Sequence, residues 1–68
     1  MPLMALAENL RRIRKDAGMT QVDLAKASGV SQQLISQIER GVNLTTKELP
    51  DLASALNVTL TDLDPRLA

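Results

Sequence analysis

The 68-residue chain has no Cys, His, Phe, Tyr or Trp, which excludes disulfides, the usual zinc ligands and aromatic platforms for single-stranded bases. Stability must come from aliphatic burial within a composition that is 44% hydrophobic, in one small domain over residues 1–68. Net charge is zero, and the apolar start Met1–Ala7 has no basic cluster and stops at Glu8, so a soluble, cytoplasmic chain without membrane contact is expected.

The first predicted element is a helix over Ala5–Ala17, closed by Gly18. Leu6, Leu10, Ile13 and Ala17 repeat at helical spacing and should face the core. Gly18 suits the position after a helix, and Arg14 and Lys15 lie near the negative end of the helix dipole. Arg11, Arg12, Arg14 and Lys15 can all be read as a solvated face; Arg11 is also a candidate phosphate contact.

A second helix is predicted from Thr20 to about Ala27. Thr20 is its N-cap and Asp23 stands at the reciprocal capping-box position. Leu24 and Ala25 should be buried, with Val22 a lone exposed apolar residue. Gln21 is either an ordinary first-turn surface residue or an amide aimed, with the helix N-terminus, at a phosphate.

After a turn at Ser28-Gly29-Val30, a third helix runs from the cap Ser31 to Arg40. Gly29 falls where a tight turn needs positive φ. Leu34, Ile35 and Ile38 form an apolar stripe, leaving Gln32, Gln33, Ser36, Gln37 and Arg40 on the opposite face. By themselves these amides are neutral, soluble helix-face residues.

The loop from Gly41 to Glu48 precedes a fourth helix with two starts open to it. Thr45-Thr46-Lys47-Glu48 fits a capping box, whereas Pro50 sits better near the first turn of a later start. Leu49, Leu52, Ala53 and Leu56 supply its core stripe, and Asn57 an αL terminus. In the tail, Thr59 and Asp62 form another box, Leu60 and Leu63 are anchors, and a short fifth helix should stop before Pro65. Residues 64–68 are a tail or the start of a linker. The expected fold is all-α, a compact bundle of four to five short helices with a helix-turn-helix at residues 20–40.

Gln21, Ala25, Gly29, Ile35 and Ile38 stand at positions that define the helix-turn-helix of the phage repressor/Cro (XRE-like) family, which this chain resembles. Leu10-Arg11-Arg12-Ile13-Arg14 resembles the family's first helix, and Leu49–Leu56 a fourth helix of lambdoid phage repressors. The resemblance runs from about Leu6 to Leu63 without insertions and implies a lambda-repressor-like DNA-binding domain. It implies a structural ion pair between Arg14 and Glu39. It implies that helix 31–40 enters the major groove, with Gln32, Gln33 and Gln37 reading bases and Ser36 assisting. Gln amides carry a donor and an acceptor in one plane, which fits adenine N6 and N7, so at least one A·T pair per half-site is expected under Gln32. Thr20, Gln21, Ser31, Arg40, Arg11 and Lys47 are the expected phosphate contacts. Leu44 and Leu60 correspond to the surface on which relatives form a two-fold dimer, and can equally be core residues. The chain departs from its relatives in the loop after helix three. They place several Lys and Arg there, whereas only Lys47 remains, which argues against minor-groove readout by an inserted Arg.

Charge is unevenly spread. Residues 1–40 hold Arg11, Arg12, Arg14, Lys15, Lys26 and Arg40 against Glu8, Asp16, Asp23 and Glu39. Residues 41–68 hold Lys47 and Arg66 against Glu48, Asp51, Asp62 and Asp64. The +2 against −2 split puts the positive part with the reading helix, and predicts weak non-specific binding with a shallow salt dependence. The leading reading is a sequence-specific double-stranded DNA-binding transcriptional regulator, a repressor acting as a homodimer on an inverted-repeat operator. The alternative is an antitoxin-type DNA-binding protein that also holds a partner toxin. With no His, Cys, Gly-rich phosphate loop or close carboxylate pair, no enzyme, cofactor or metal is expected.

Overall fold

The computed structural model describes residues 2–43 and 47–65. Five helices follow one another: α1 (Pro2–Asp16), α2 (Gln21–Ser28), α3 (Gln32–Glu39), α4 (Leu49–Leu56) and α5 (Leu60–Leu63), with no strand among the described residues. No helix among these residues is long and apolar enough to cross a membrane.

α1 begins three residues before the expected Ala5, because Leu3 and Met4 are good helix formers and nothing there breaks the turn. It ends one residue before the expected Ala17. The Gly18 N–H bonds the Lys15 carbonyl at 2.9 Å and the Met19 N–H the Arg14 carbonyl at 3.1 Å. Ala17 is therefore a cap residue on the outside of that closure, exposed rather than facing the core. Ala7 takes a place in the buried stripe beside Leu6 and Leu10, while Ile13 packs against it only in part.

Local chemistry fixes the other ends. Thr20 Oγ1 accepts from the Asp23 N–H and Asp23 Oδ2 from the Thr20 N–H, both at 3.0 Å, completing the capping box of α2. Gly29 closes α2 at φ +75, its N–H on the Ala25 carbonyl at 2.9 Å. A Cβ there would meet nothing within 4 Å, so the backbone angle, not space, calls for glycine. Of the two starts the sequence allows for α4, the later one forms, at Leu49 with Pro50 in the first turn. Thr45 and Thr46 lie outside the described residues. Asn57 ends α4 at φ 59, and Thr59 with Asp62 caps α5, which stops before Pro65.

Among the described residues eight large aliphatic side chains are fully buried: Leu6, Leu10, Leu24, Ile35, Ile38, Leu49, Leu52 and Leu63. Burying each stabilises the fold by about 1.5–3 kcal/mol relative to exposure. They join α3 to α1 and α2, α4 to α2 and α5, and α5 back to α1. The Asn9 Nδ2 donates to the Leu63 carbonyl at 3.2 Å and reinforces that last contact. Asp64, in the expected tail, is also fully buried.

The two capping-box aspartates make stability pH-dependent. The Thr20 backbone N–H holds Asp23 below the usual aspartate range, helped by the Thr20 side chain; Thr59 does the same for Asp62. A depressed carboxylate contributes stability that is present above its unfolded pKa, about 3.9, and lost as pH falls through the folded value. Asp23→Asn with Asp62→Asn keeps an acceptor for each Thr N–H but no titration. Urea midpoints between pH 6 and 2 should therefore fall less steeply in the double variant; an unchanged pH dependence would show that neither box contributes.

Candidate nucleic-acid interface

α3 leaves the turn with Ser31 as its cap, the hydroxyl oxygen accepting from the Leu34 N–H at 3.1 Å. Ile35 and Ile38 are fully buried and Leu34 packs partly against the same core, which fixes the rotation of the helix. Gln32 and Gln33 are consequently exposed in the first turn, and Ser36 and Gln37 are half-buried one turn on. Arg40 is exposed at the C-terminal end, its Nε 3.4 Å from the Ser36 carbonyl of its own helix.

Behind this face lies one buried carboxylate. Glu39 accepts from Arg14 in two places: Nε donates to Oε2 at 2.7 Å and Nη2 to Oε1 at 3.0 Å. Gln21 Nε2 also donates to Glu39 Oε1 at 3.3 Å, and Arg14 Nη1 donates to the Met19 carbonyl at 2.8 Å. Four hydrogen bonds thus tie α1, the entry to α2, and α3 together. The Glu39 hydrogen bonds raise the pKa of the Arg14 guanidinium, against the opposing effect of burial. The resemblance led to the Arg14–Glu39 pair but not to Gln21 as its third member. The one sequence cue was that Gln21 stands in the first turn of α2, where a short amide can reach the neighbouring helix.

The remaining candidates are dispersed. The Thr20 and Ser31 hydroxyl oxygens are engaged in caps, yet a hydroxyl that accepts through its oxygen keeps its own hydrogen to donate. Arg11 is exposed on α1, and Lys47 is exposed just before α4. Leu44 lies outside the described residues. Leu60 is 37% exposed on α5, which overturns its reading as a core residue, since its neighbour Leu63 fills that place. Val22 is exposed as expected; Val42, for which sequence reasoning held no expectation, is exposed too. Asn43, which sequence reasoning passed over, donates from Nδ2 to Gln37 Oε1 at 3.3 Å.

The helix-turn-helix family model matches residues 10–63, from the second half of α1 to the end of α5. The chain belongs to that family. Its members bind DNA as transcriptional regulators, and similar proteins carry that description. The uncharacterised HTH-type transcriptional regulator y4dJ of Sinorhizobium fredii is 41% identical over 59 residues, covering 85% of this chain and 77% of that protein. The uncharacterised HTH-type regulator YazB of Bacillus subtilis is 39% identical, with 82% and 83% covered. DdrOP3 of Deinococcus deserti is 38% identical over 88% of this chain, which spans only 47% of that regulator. Among solved structures, the restriction-modification controller protein C.AhdI of Aeromonas hydrophila superposes with a TM-score of 0.82 at 31% identity, over 90% of this chain and 94% of its own. An HTH_3 family transcriptional regulator from Vibrio cholerae gives 0.81 at 31% identity, over 98% of this chain and 42% of its own.

Proposed function

We propose that residues 1–68 act as a single unit that reads a specific double-stranded operator as a two-fold dimer in the cytoplasm and represses transcription where the operator overlaps a promoter. The observation that carries this reading is the exposed amide pair Gln32 and Gln33 at the leading turn of a helix whose back is locked by Ile35, Ile38 and the Glu39 network. Gln32, Gln33 and Gln37, with Ser36, contact base edges. Thr20, Ser31, Arg40, Arg11 and Lys47 contact phosphates, which set register without carrying sequence information. Gln21 keeps a second N–H beyond the one it gives Glu39, and that hydrogen completes the phosphate clamp. Leu60 on α5, together with Leu44, provides the apolar dimer contact, placing two α3 helices on half-sites about one helical turn apart.

The test is selection of binding sites from random duplex DNA at low salt. An enriched inverted repeat containing A·T pairs is the expected result; a flat pool would reject the reading. The salt dependence of binding to the selected site gives a second check. Arg11, Arg40 and Lys47 are three cations per monomer, so the log–log slope should be about −5 for the dimer. A slope near −10 would mean that Arg12, Lys15 and Lys26 also meet the backbone.

A further inference from the structure

We propose that Asn43 is a specificity-determining residue that fixes which edge of the Gln37 amide faces a base. The inference rests on the reading of Gln37 as a base contact. Its physical basis is the way α3 ends. The Gly41 N–H bonds the Ile38 carbonyl and the Val42 N–H the Gln37 carbonyl, each at 3.0 Å, with Gly41 at φ +76. This closure needs a left-handed residue at position 41, and it pins the outgoing chain to the backbone of residue 37. The next residue, Asn43, is thereby delivered beside the Gln37 side chain, where its Nδ2 donates to Gln37 Oε1 at 3.3 Å. Both side chains are half-buried, so their shared hydrogen bond is partly shielded from water.

An unrestrained Gln amide can turn over and present either its carbonyl or its NH2 to a partner. Held through its oxygen, Gln37 turns the NH2 outward. Two N–H donors suit the O6 and N7 of guanine or the O4 of thymine, whereas the bidentate adenine contact needs donor and acceptor to face the base together. Gln32 and Gln33 are exposed and make no side-chain hydrogen bond to another described residue, so they keep both edges. Three chemically identical side chains on one face are thus differentiated: two that can read adenine, and one biased toward guanine and thymine, whose major-groove edges offer acceptors and no donor.

The experiment uses the full chain and the operator recovered by selection. Gln37→Ala first identifies the base pair whose preference it relaxes. Four operators differing only at that pair are then compared for the unsubstituted protein, Asn43→Ala and Asn43→Asp. The unsubstituted protein should favour guanine or thymine over adenine by about fivefold, the worth of one neutral hydrogen bond. Asn43→Ala should bring all four within about twofold. Asn43→Asp offers only acceptors, so it should hold Gln37 through Nε2, turn Oε1 outward and move the preference to adenine or cytosine. Each comparison is made within one variant, so a uniform loss of affinity or of folded protein cancels. If Gln37→Ala relaxes one position while both Asn43 variants keep the original preference there, the role of Asn43 is overturned and the base contact stands. If Gln37→Ala relaxes no position, the base contact fails and the proposal falls with it.

Discussion

Arg14→Met should destabilise the domain by about 3–5 kcal/mol, the typical cost of stranding one half of a buried ion pair. A chain of this size has only roughly 3–10 kcal/mol of stability in total, so the loss removes between about a third and all of it. Glu39→Leu should cost less. The Glu39 side chain is 4% exposed and short, so without Arg14 its carboxylate keeps only the 3.3 Å contact from Gln21. The Arg14 side chain is 10% exposed and long, and without Glu39 its guanidinium can swing toward water while holding the Met19 carbonyl. The double variant Arg14→Met/Glu39→Leu removes both charges and should recover part of the loss. Recovery stays incomplete because the Met19 carbonyl still loses the donor now 2.8 Å away. Urea denaturation of the four proteins gives the coupling directly. If the double variant costs the sum of the singles, the two charges act independently and the network does not function as a unit. Because the pair joins α1 to α3, DNA affinity should fall by more than the folded fraction accounts for, as the surviving molecules carry a less firmly held reading helix.

Features decided within one turn of chain were legible in the sequence. Thr20 with Asp23, Thr59 with Asp62, and Asn57 all act over three or four residues, and each does in the structure what its spacing implies. The stripe Leu49, Leu52, Ala53 and Leu56 is buried throughout, because an eight-residue helix leaves little room for phase error. Periodicity failed where a helix ends. Ala17 continues the spacing of Leu6, Leu10 and Ile13, but the chain has already turned at that point and the pattern has nothing to face. Interactions between helices were less accessible still. Arg14 falls on the buried stripe of α1 and reads as a solvated cation; only the family resemblance suggested its partner 25 residues away. No such likeness pointed to Gln21 on Glu39 or Asn43 on Gln37. Amides pair with many groups, and their spacing in sequence carries no phase.

Gln32→Ala should remove about 1–3 kcal/mol of base discrimination per half-site, and so about 2–6 kcal/mol across a two-fold operator. The residue is the first of α3, directly after the Ser31 cap, where a reading helix enters the groove deepest. It is exposed, and its side chain bonds no other described residue, so truncation should leave stability nearly unchanged. The loss should be confined to one symmetric pair of positions, where adenine gives way to indifference. Arg40→Ala provides the contrast. A phosphate contact carries no base information, so its loss should weaken all sequences alike and make the salt slope shallower by about 1 per monomer. Affinities for the operator, a single-position variant and a scrambled duplex, each at two salt concentrations, separate the two patterns. If Gln32→Ala behaved like Arg40→Ala, with uniform weakening and unchanged base preference, the amide face would be a docking surface rather than a reader. Specificity would then have to arise from DNA shape. This chain is poorly equipped for that, because Lys47 is the one basic residue between Arg40 and α4. Gln32 is therefore where the proposed glutamine readout is most directly tested.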